Sequence, residues 1–145
     1  MWQYPNPFTL TVSPKSADID GLNHTNNGVY ARWCEQVAWA HSNALGITVD
    51  DYQAQGKAMA IRHAEYDYLA ASYENDELVI GTWLTNFDQK YKFERRFQIV
   101  RPSDGVTILK GKWLLLCIDL HSGKASRMPE QFHAGYGGAV IDVED

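Results

Sequence analysis

The sequence predicts an α+β domain in two layers, with one amphipathic helix covering one face of an antiparallel sheet of about five strands. Three observations lead there. Tyr30, Trp33, Val37, Ala40 and Ala44 recur at intervals of three and four, which sets one apolar stripe along a helix. From Met59 onward the apolar period is mostly two, the repeat of half-buried strands. Tight turns rather than helices join those later segments, and strands joined by short connections pair antiparallel.

The elements follow in order. Phe8, Leu10 and Val12 alternate with polar residues between Pro7 and Pro14, the pattern of a first strand. Lys15 to Thr25 reads as polar loop, and the helix is expected from about Asn26 to Leu45, with Gly46 as its C′ stop. Val49 to Lys57 reads as a short polar connection. Strands are expected over Met59 to Leu69, Leu78 to Phe87, Tyr91 to Ile99 and Val106 to Leu120, with turns at Pro102 to Gly105 and His121 to Lys124. A short helix around Glu130 to His133 is followed by a glycine-rich tail expected to be loose.

Composition narrows the functional classes. A chain of 145 residues suits a single domain spanning 1–145, and its core needs neither disulfide nor metal for support. The formal net charge is −5 and the 13 Lys and Arg are scattered, which argues against nucleic-acid binding. The longest apolar run, Leu114 to Ile118, is far too short to cross a bilayer. The first residues lack the basic and apolar regions of a signal peptide, so a cytoplasmic location is expected. Cys34 and Cys117 read as two buried thiols of a reduced compartment, and Cys34, inside the helix, is poorly placed for a nucleophile. His41, His63, His121 and His133 show no metal-ligand spacing with these cysteines. No metal and no cofactor are expected.

Chemistry concentrates in the stretch DIDGLNHTNNGVYARWCE, Asp18 to Glu35. Two carboxylates, an imidazole and three carboxamides stand directly before an apolar helix. Taken singly they are ordinary: Asp and Asn in a loop, Thr25 or Asn26 as N-cap, Asn23 and Asn27 as turn formers. Together they border a helix N-terminus, whose unpaired N–H groups and partial positive charge favour an anion or a carbonyl oxygen becoming one. A carboxylate just ahead of that terminus can serve as base or nucleophile toward the same carbonyl.

Asp18, Asp20, His24, Asn26, Asn27 and Tyr30 spell D-x-D-x-x-x-H-x-N-N-x-x-Y. The pattern resembles the signature of hotdog-fold thioesterases of the 4-hydroxybenzoyl-CoA thioesterase type, and is similar to the equivalent segment of plant acyl-ACP thioesterases. Trp33 and Glu35 fit the same helix. Weaker echoes are Tyr66 to Leu69, Arg101 to Gly105 and Gly123 to Pro129. The resemblance implies a hotdog fold: a sheet of about five antiparallel strands wrapped around one long central helix. It implies hydrolysis of an acyl-CoA or acyl-ACP thioester without cofactor, with Asp20 as nucleophile or base and the Asn27 backbone N–H polarising the carbonyl. It further implies that Asn23, His24 and Tyr30 line the site. It also implies a homodimer or homotetramer paired through strand edges, the strand from Met59 to Leu69 being the candidate edge. Plant acyl-ACP enzymes carry an Asn two residues after this Asp; here that position is Leu22 and Asn23 follows, so Asn23 and His24 are assigned supporting places.

Other residues carry weaker readings. Glu65 shares a phase with Ile61 and His63, and a substrate-binding role facing a partner is weighed against an ordinary polar strand face. Arg95 stands on the apolar phase of its strand, either paired with a carboxylate at an interface or reaching out to an edge. Lys90, Lys92 and Arg127 read as solvated surface first and CoA-phosphate contacts second. Trp33, Trp83 and Trp113 could wall an acyl pocket. Two rival functions stand beside the thioesterase. A hotdog enoyl-CoA hydratase would resemble D-x-N-P-x-H, whereas Asp20 is followed by Gly-Leu-Asn-His. A non-catalytic acyl-thioester-binding module has less need of a carboxylate at the helix start.

Overall fold

In the computed structural model, which describes residues 1–144, strand β1 spans Phe8–Val12 and helix α1 spans Asn27–Ala44. Helix α2 is Val49–Gln55. Strands β2 (Lys57–Tyr68), β3 (Leu78–Thr85), β4 (Lys92–Arg101) and β5 (Val106–Asp119) follow. Helix α3 (Glu130–Gly137) and strand β6 (Val140–Ile141) end the run of elements. The strands form one sheet in the order β1-β3-β4-β5-β2, antiparallel at each junction, and β6 adds in parallel beside the end of β3.

The apolar stripe expected of α1 is its buried side. Tyr30, Trp33 and Val37 are 3%, 7% and 0% exposed, and the helix lies against β1 and β3. Asn26 is its N-cap, accepting the Gly28 N–H on its side-chain oxygen at 2.9 Å; such a cap is worth about 1 kcal/mol. Gly46, at φ 83°, takes the left-handed conformation that ends the helix region and would strain a side chain. Across the core stand Ile80, Leu84, Phe93, Phe97, Ile99, Trp113 and Leu115. Cys34 and Cys117 are both buried and unpaired, as their residue environments suggest. Burial and the neighbouring Glu35 carboxylate push the Cys34 thiol far up, which leaves it inert.

Three expectations need correcting. The segment after α1 is helix rather than connection. Thr48 and Asp51 form a capping box: the Thr48 N–H donates to Asp51 Oδ2 at 2.8 Å and the Asp51 N–H to Thr48 Oγ1 at 3.3 Å. Seven residues make too few turns for an apolar stripe to stand out. The glycine-rich tail is ordered rather than loose, and its short β6 joins the expected five strands beside β3. Phe132 and Tyr136, one turn apart, anchor α3 in the core. Gly135 lets that helix approach closely, since a β-carbon there would stand 2.7 Å from Ile47 Cδ1. Finally, β2 is bulged. Ile61 faces Leu115 and His63 faces Leu114, so Arg62 is the extra residue and the phase of the strand reverses across it. Ile61 and Glu65 therefore point to opposite faces.

Strand β2 ends the sheet opposite β1 and is open to solvent for much of its length; Ile61, Tyr68 and the following Leu69 are 44%, 49% and 55% exposed.

Replacing Trp33 with Ala removes the largest side chain on the buried side of α1. The expected loss is ~3–5 kcal/mol from transfer and cavity together, read as a lowered denaturant midpoint. An unchanged midpoint would contradict the packing described for this helix.

Candidate active site

The loop between β1 and α1 is built by short backbone bonds that aim it. Ile19 and Thr25 form an isolated bridge, closing a small polar turn. The Asp20 N–H donates to the His24 carbonyl at 2.8 Å, and the Asn23 N–H donates to the Asp20 carbonyl at 3.1 Å. Asn23 sits at φ 64°, the left-handed conformation that Asn tolerates better than most residues. The Asn26 N–H donates to the Asp18 carbonyl at 2.8 Å, which sets the direction in which α1 leaves the loop.

Within this turn the two aspartates differ. The Asp18 carboxylate accepts the Lys15 N–H at 2.9 Å and stands 3.6 Å from Arg32, so it is occupied in holding the loop. Asp20 accepts the Leu22 N–H at 2.8 Å and the His24 N–H at 3.3 Å, both on Oδ1. Its Oδ2 has no hydrogen-bond partner among the described residues. A carboxylate fixed through one oxygen keeps its orientation while the other oxygen remains available as base or nucleophile.

Asp20, His24, Asn27 and Tyr30 line one open groove of about 480 Å³, together with Tyr68 and Leu69 at the end of β2. Asn27 is the first helical residue, and its backbone N–H has no acceptor among the described residues, as expected of an unpaired helix N-terminus. The groove therefore combines an available carboxylate oxygen with an unpaired N–H and the positive end of the α1 dipole. Anionic or carbonyl oxygen is the chemistry such donors favour.

A buried chain of hydroxyls holds the wall. Ser72 Oγ donates to Thr25 Oγ1 at 2.7 Å, and Thr25 Oγ1 donates to the Ser72 carbonyl at 3.2 Å. Ser72 having spent its proton, the Tyr30 hydroxyl donates to Ser72 Oγ at 2.7 Å. The Thr25 N–H also reaches the Ser72 carbonyl, at 2.9 Å. Tyr30 thus lines the groove with its ring while its hydroxyl ties α1 to the segment after β2. Sequence reading missed Ser72, whose Ala-Ala-Ser context carries no signal for a fully buried tie.

The structure does not bring Asn23, Glu65 or Arg95 into the groove, whereas His24 stands on its wall. Asn23 is exposed beside it and contributes a turn. His24 packs edge-on against Tyr73, ring centroids 5.5 Å apart. Glu65 lies on the opposite face of β2 because of the bulge, in a separate groove, 3.3 Å from Lys112. Arg95 neither meets a carboxylate nor reaches an edge: it is 3% exposed and bonds His41 and Thr82. Among the described residues no cluster of His, Cys, Asp and Glu could hold a metal, and no helix is long and apolar enough to cross a membrane.

Comparison with known proteins supplies a frame for this groove. Residues 14–135 match the family model of the thioesterase-like superfamily. A 1,4-dihydroxy-2-naphthoyl-CoA thioesterase from Synechocystis superposes with a TM-score of 0.82 at 17% identity, covering 91% of this chain and 96% of that one. A Staphylococcus aureus protein in complex with CoA gives a TM-score of 0.85 at 17% identity, over 97% and 89% of the two chains. A 12:0-ACP thioesterase from Umbellularia californica gives 0.84 at 16% identity, over 95% of this chain and 56% of that one. At these identities the likeness is one of fold, and the fold is the hotdog fold that the Asp18–Tyr30 pattern implied.

Ser72→Ala tests the hydroxyl chain. It removes the hydroxyl to which Tyr30 donates and which donates to Thr25, while Thr25 keeps its bonds to the backbone carbonyl of that position; a buried phenol left unpaired costs about 1–3 kcal/mol. The expected result is a lowered thermal midpoint; an unchanged midpoint would remove the Ser72 hydroxyl from this role.

Proposed function

The chain belongs to the thioesterase-like superfamily, and from that membership we propose that it hydrolyses an acyl thioester, RCO–S–R′, to a free acid and a thiol. The observation that carries this reading is the pairing, in one groove, of an Asp20 carboxylate with an uncommitted oxygen and an Asn27 N–H with no acceptor. The thioester carbonyl docks with its oxygen on that N–H. Attack on the carbonyl carbon makes an oxyanion, which the N–H and the helix dipole stabilise more strongly than the neutral ground state. Asp20 either takes the proton of the attacking water or attacks directly, forming an acyl anhydride that water then opens. The thiolate departs and is protonated. His24 and Tyr30 shape the walls beside the carbonyl, and the carrier is CoA or an acyl carrier protein.

Edge pairing through β2 completes the proposal. Its length, its terminal place in the sheet and its exposed Ile61 and Tyr68 support association with a second copy. Because Tyr68 and Leu69 also line the groove, such a pairing brings the partner subunit close to the reacting group. Light scattering at micromolar concentration should report twice the chain mass or a multiple of it; a monomer alone would end this part of the proposal.

Asp20→Asn keeps size and removes charge. Thiol release from a panel of acyl-CoAs, followed with a thiol dye, should fall ~10²–10⁴-fold in kcat with KM little changed. Asp18→Asn should affect the loop more than turnover. Near wild-type turnover by the Asp20→Asn variant, with its fold verified by circular dichroism, would refute the assignment. Loss of enoyl absorbance without thiol release would point to a hydratase. Single turnover in oxygen-18 water separates the two roles of Asp20, since label appears in the carboxylate only when an anhydride forms.

A further inference from the structure

Between α1 and strands β2, β4 and β5 lies a second cavity of about 320 Å³, away from the Asp20 groove. Its walls include Met59, Phe93, Trp113 and Leu115, Arg95 projects into it from β4, and Glu35 of α1 also lines it without pairing with Arg95. Arg95 is 3% exposed, yet no carboxylate of the described residues lies within ion-pairing distance of it.

The polar groups around Arg95 do not supply the missing charge. Its Nη1 meets His41 Nδ1 at 2.9 Å and donates to Thr82 Oγ1 at 3.2 Å. Burial, then the charge of Arg95 itself, lowers the His41 pKa to about 4, so the ring is neutral at physiological pH and presents Nδ1 as acceptor. The hydroxyls nearby are committed to one another. Ser42 Oγ donates to the Ile47 carbonyl at 2.6 Å, so the Tyr136 hydroxyl donates to Ser42 at 2.7 Å and the Tyr52 hydroxyl to Tyr136 at 2.6 Å. Burial holds both phenols above their ordinary pKa and therefore neutral. Burial lowers Arg95 only to about 10, so the guanidinium keeps its charge.

The Nε and Nη2 donors of Arg95 have no acceptor among the described residues. No fully occluded side-chain nitrogen or oxygen there lacks a partner, so these donors open onto the cavity. A buried charge with free, fork-shaped donors is costly unless an anion completes it, and carboxylate matches that fork in two parallel bonds. We infer that this cavity is a binding site for an organic carboxylate with an apolar body, its carboxylate on Arg95 and its body among Met59, Phe93, Trp113 and Leu115.

Two sources share that chemistry. One is a free carboxylic acid. The other is the far end of an acyl thioester that itself ends in a carboxylate, an arm that rests on the hydrolase reading. Arg95 touches His41, which lies about 21 Å along the helix axis from Asn27. A substrate docked at Asn27 of the same chain would therefore need a long acyl group to reach it.

Calorimetric titration of the intact protein with octanoate and phenylacetate, against octanamide and phenylacetamide, tests the site without requiring turnover. The acids should bind and the amides should bind ~10–100-fold more weakly, a gap that Arg95→Gln should abolish. Equal binding of acid and amide to the wild-type protein overturns the inference even if the variant fails to fold. So does undiminished acid binding by a folded Arg95→Gln, or no acid binding at millimolar concentration. Thiol release then distinguishes the sources. Faster hydrolysis of long acyl-CoAs ending in carboxylate than of their methyl-ended counterparts, lost in Arg95→Gln, assigns the anion to the substrate. Acid binding without that preference assigns it to a free acid. Acid binding with no hydrolysis of any thioester sinks the hydrolase reading and leaves this site standing.

Discussion

The structure turns on one constraint: α1 must bury its apolar side and still present its first turn to solvent. Tyr30, Trp33 and Val37 fix the rotation of the helix against the sheet, while Asn26 and the Asp18 carbonyl fix where it begins. Once these are set, the direction of the helix dipole and the position of the Asn27 N–H are set too. The polar loop needs no core of its own, because its shape comes from backbone bonds closed on Asp20 and His24. Packing of the helix and orientation of its N-terminus are therefore coupled.

Much of this was legible in the sequence because the relevant spacings are local. Asp20, His24, Asn27 and Tyr30 fall within eleven consecutive residues, so loop and helix geometry alone bring them to one groove. The helix was legible from its period, and the long strands from theirs. What was lost depends on tertiary detail. The bulge at Arg62 turned an unbroken alternation into two opposed phases, which sends Glu65 to Lys112 and away from the groove. Ser72 is distant from Tyr30 in sequence, and nothing in its neighbours marks it as buried. Thr48 and Asp51 did carry a readable capping signal, yet α2 is too short for periodicity to reveal. The ordered tail owes its helix to Phe132 and Tyr136 packing on residues far upstream, which glycine content alone conceals.

The two cavities use opposite electrostatic devices. At the Asp20 groove the positive element is a backbone dipole, weak and fixed in direction, facing an open solvent-filled space. At the second cavity it is a full charge on Arg95, itself buried beside apolar side chains and hydroxyls that have no proton to spare, with Glu35 also on the lining. A dipole suits an oxygen whose charge appears only transiently, because it does not hold a permanent anion tightly. A buried guanidinium suits an anion that stays. The two devices stand along one helix, at its start and beside its last turns.

The parallel seam between β6 and β3 has a further consequence. β1 covers β3 from Leu78 to Thr82, and β6 takes over at Leu84 and Thr85, so the chain's two ends together close that side of the sheet. The outer strand there, β1, is five residues long and flanked by Pro7 and Pro14, a poor template for another chain. Among the described residues, only the β2 side offers a long free edge. A sheet with one adhesive side behaves as a chain terminator: two copies meeting there leave no comparable edge for a third. The pairing proposed above would use up that edge, so edge-to-edge addition would not run on into a filament.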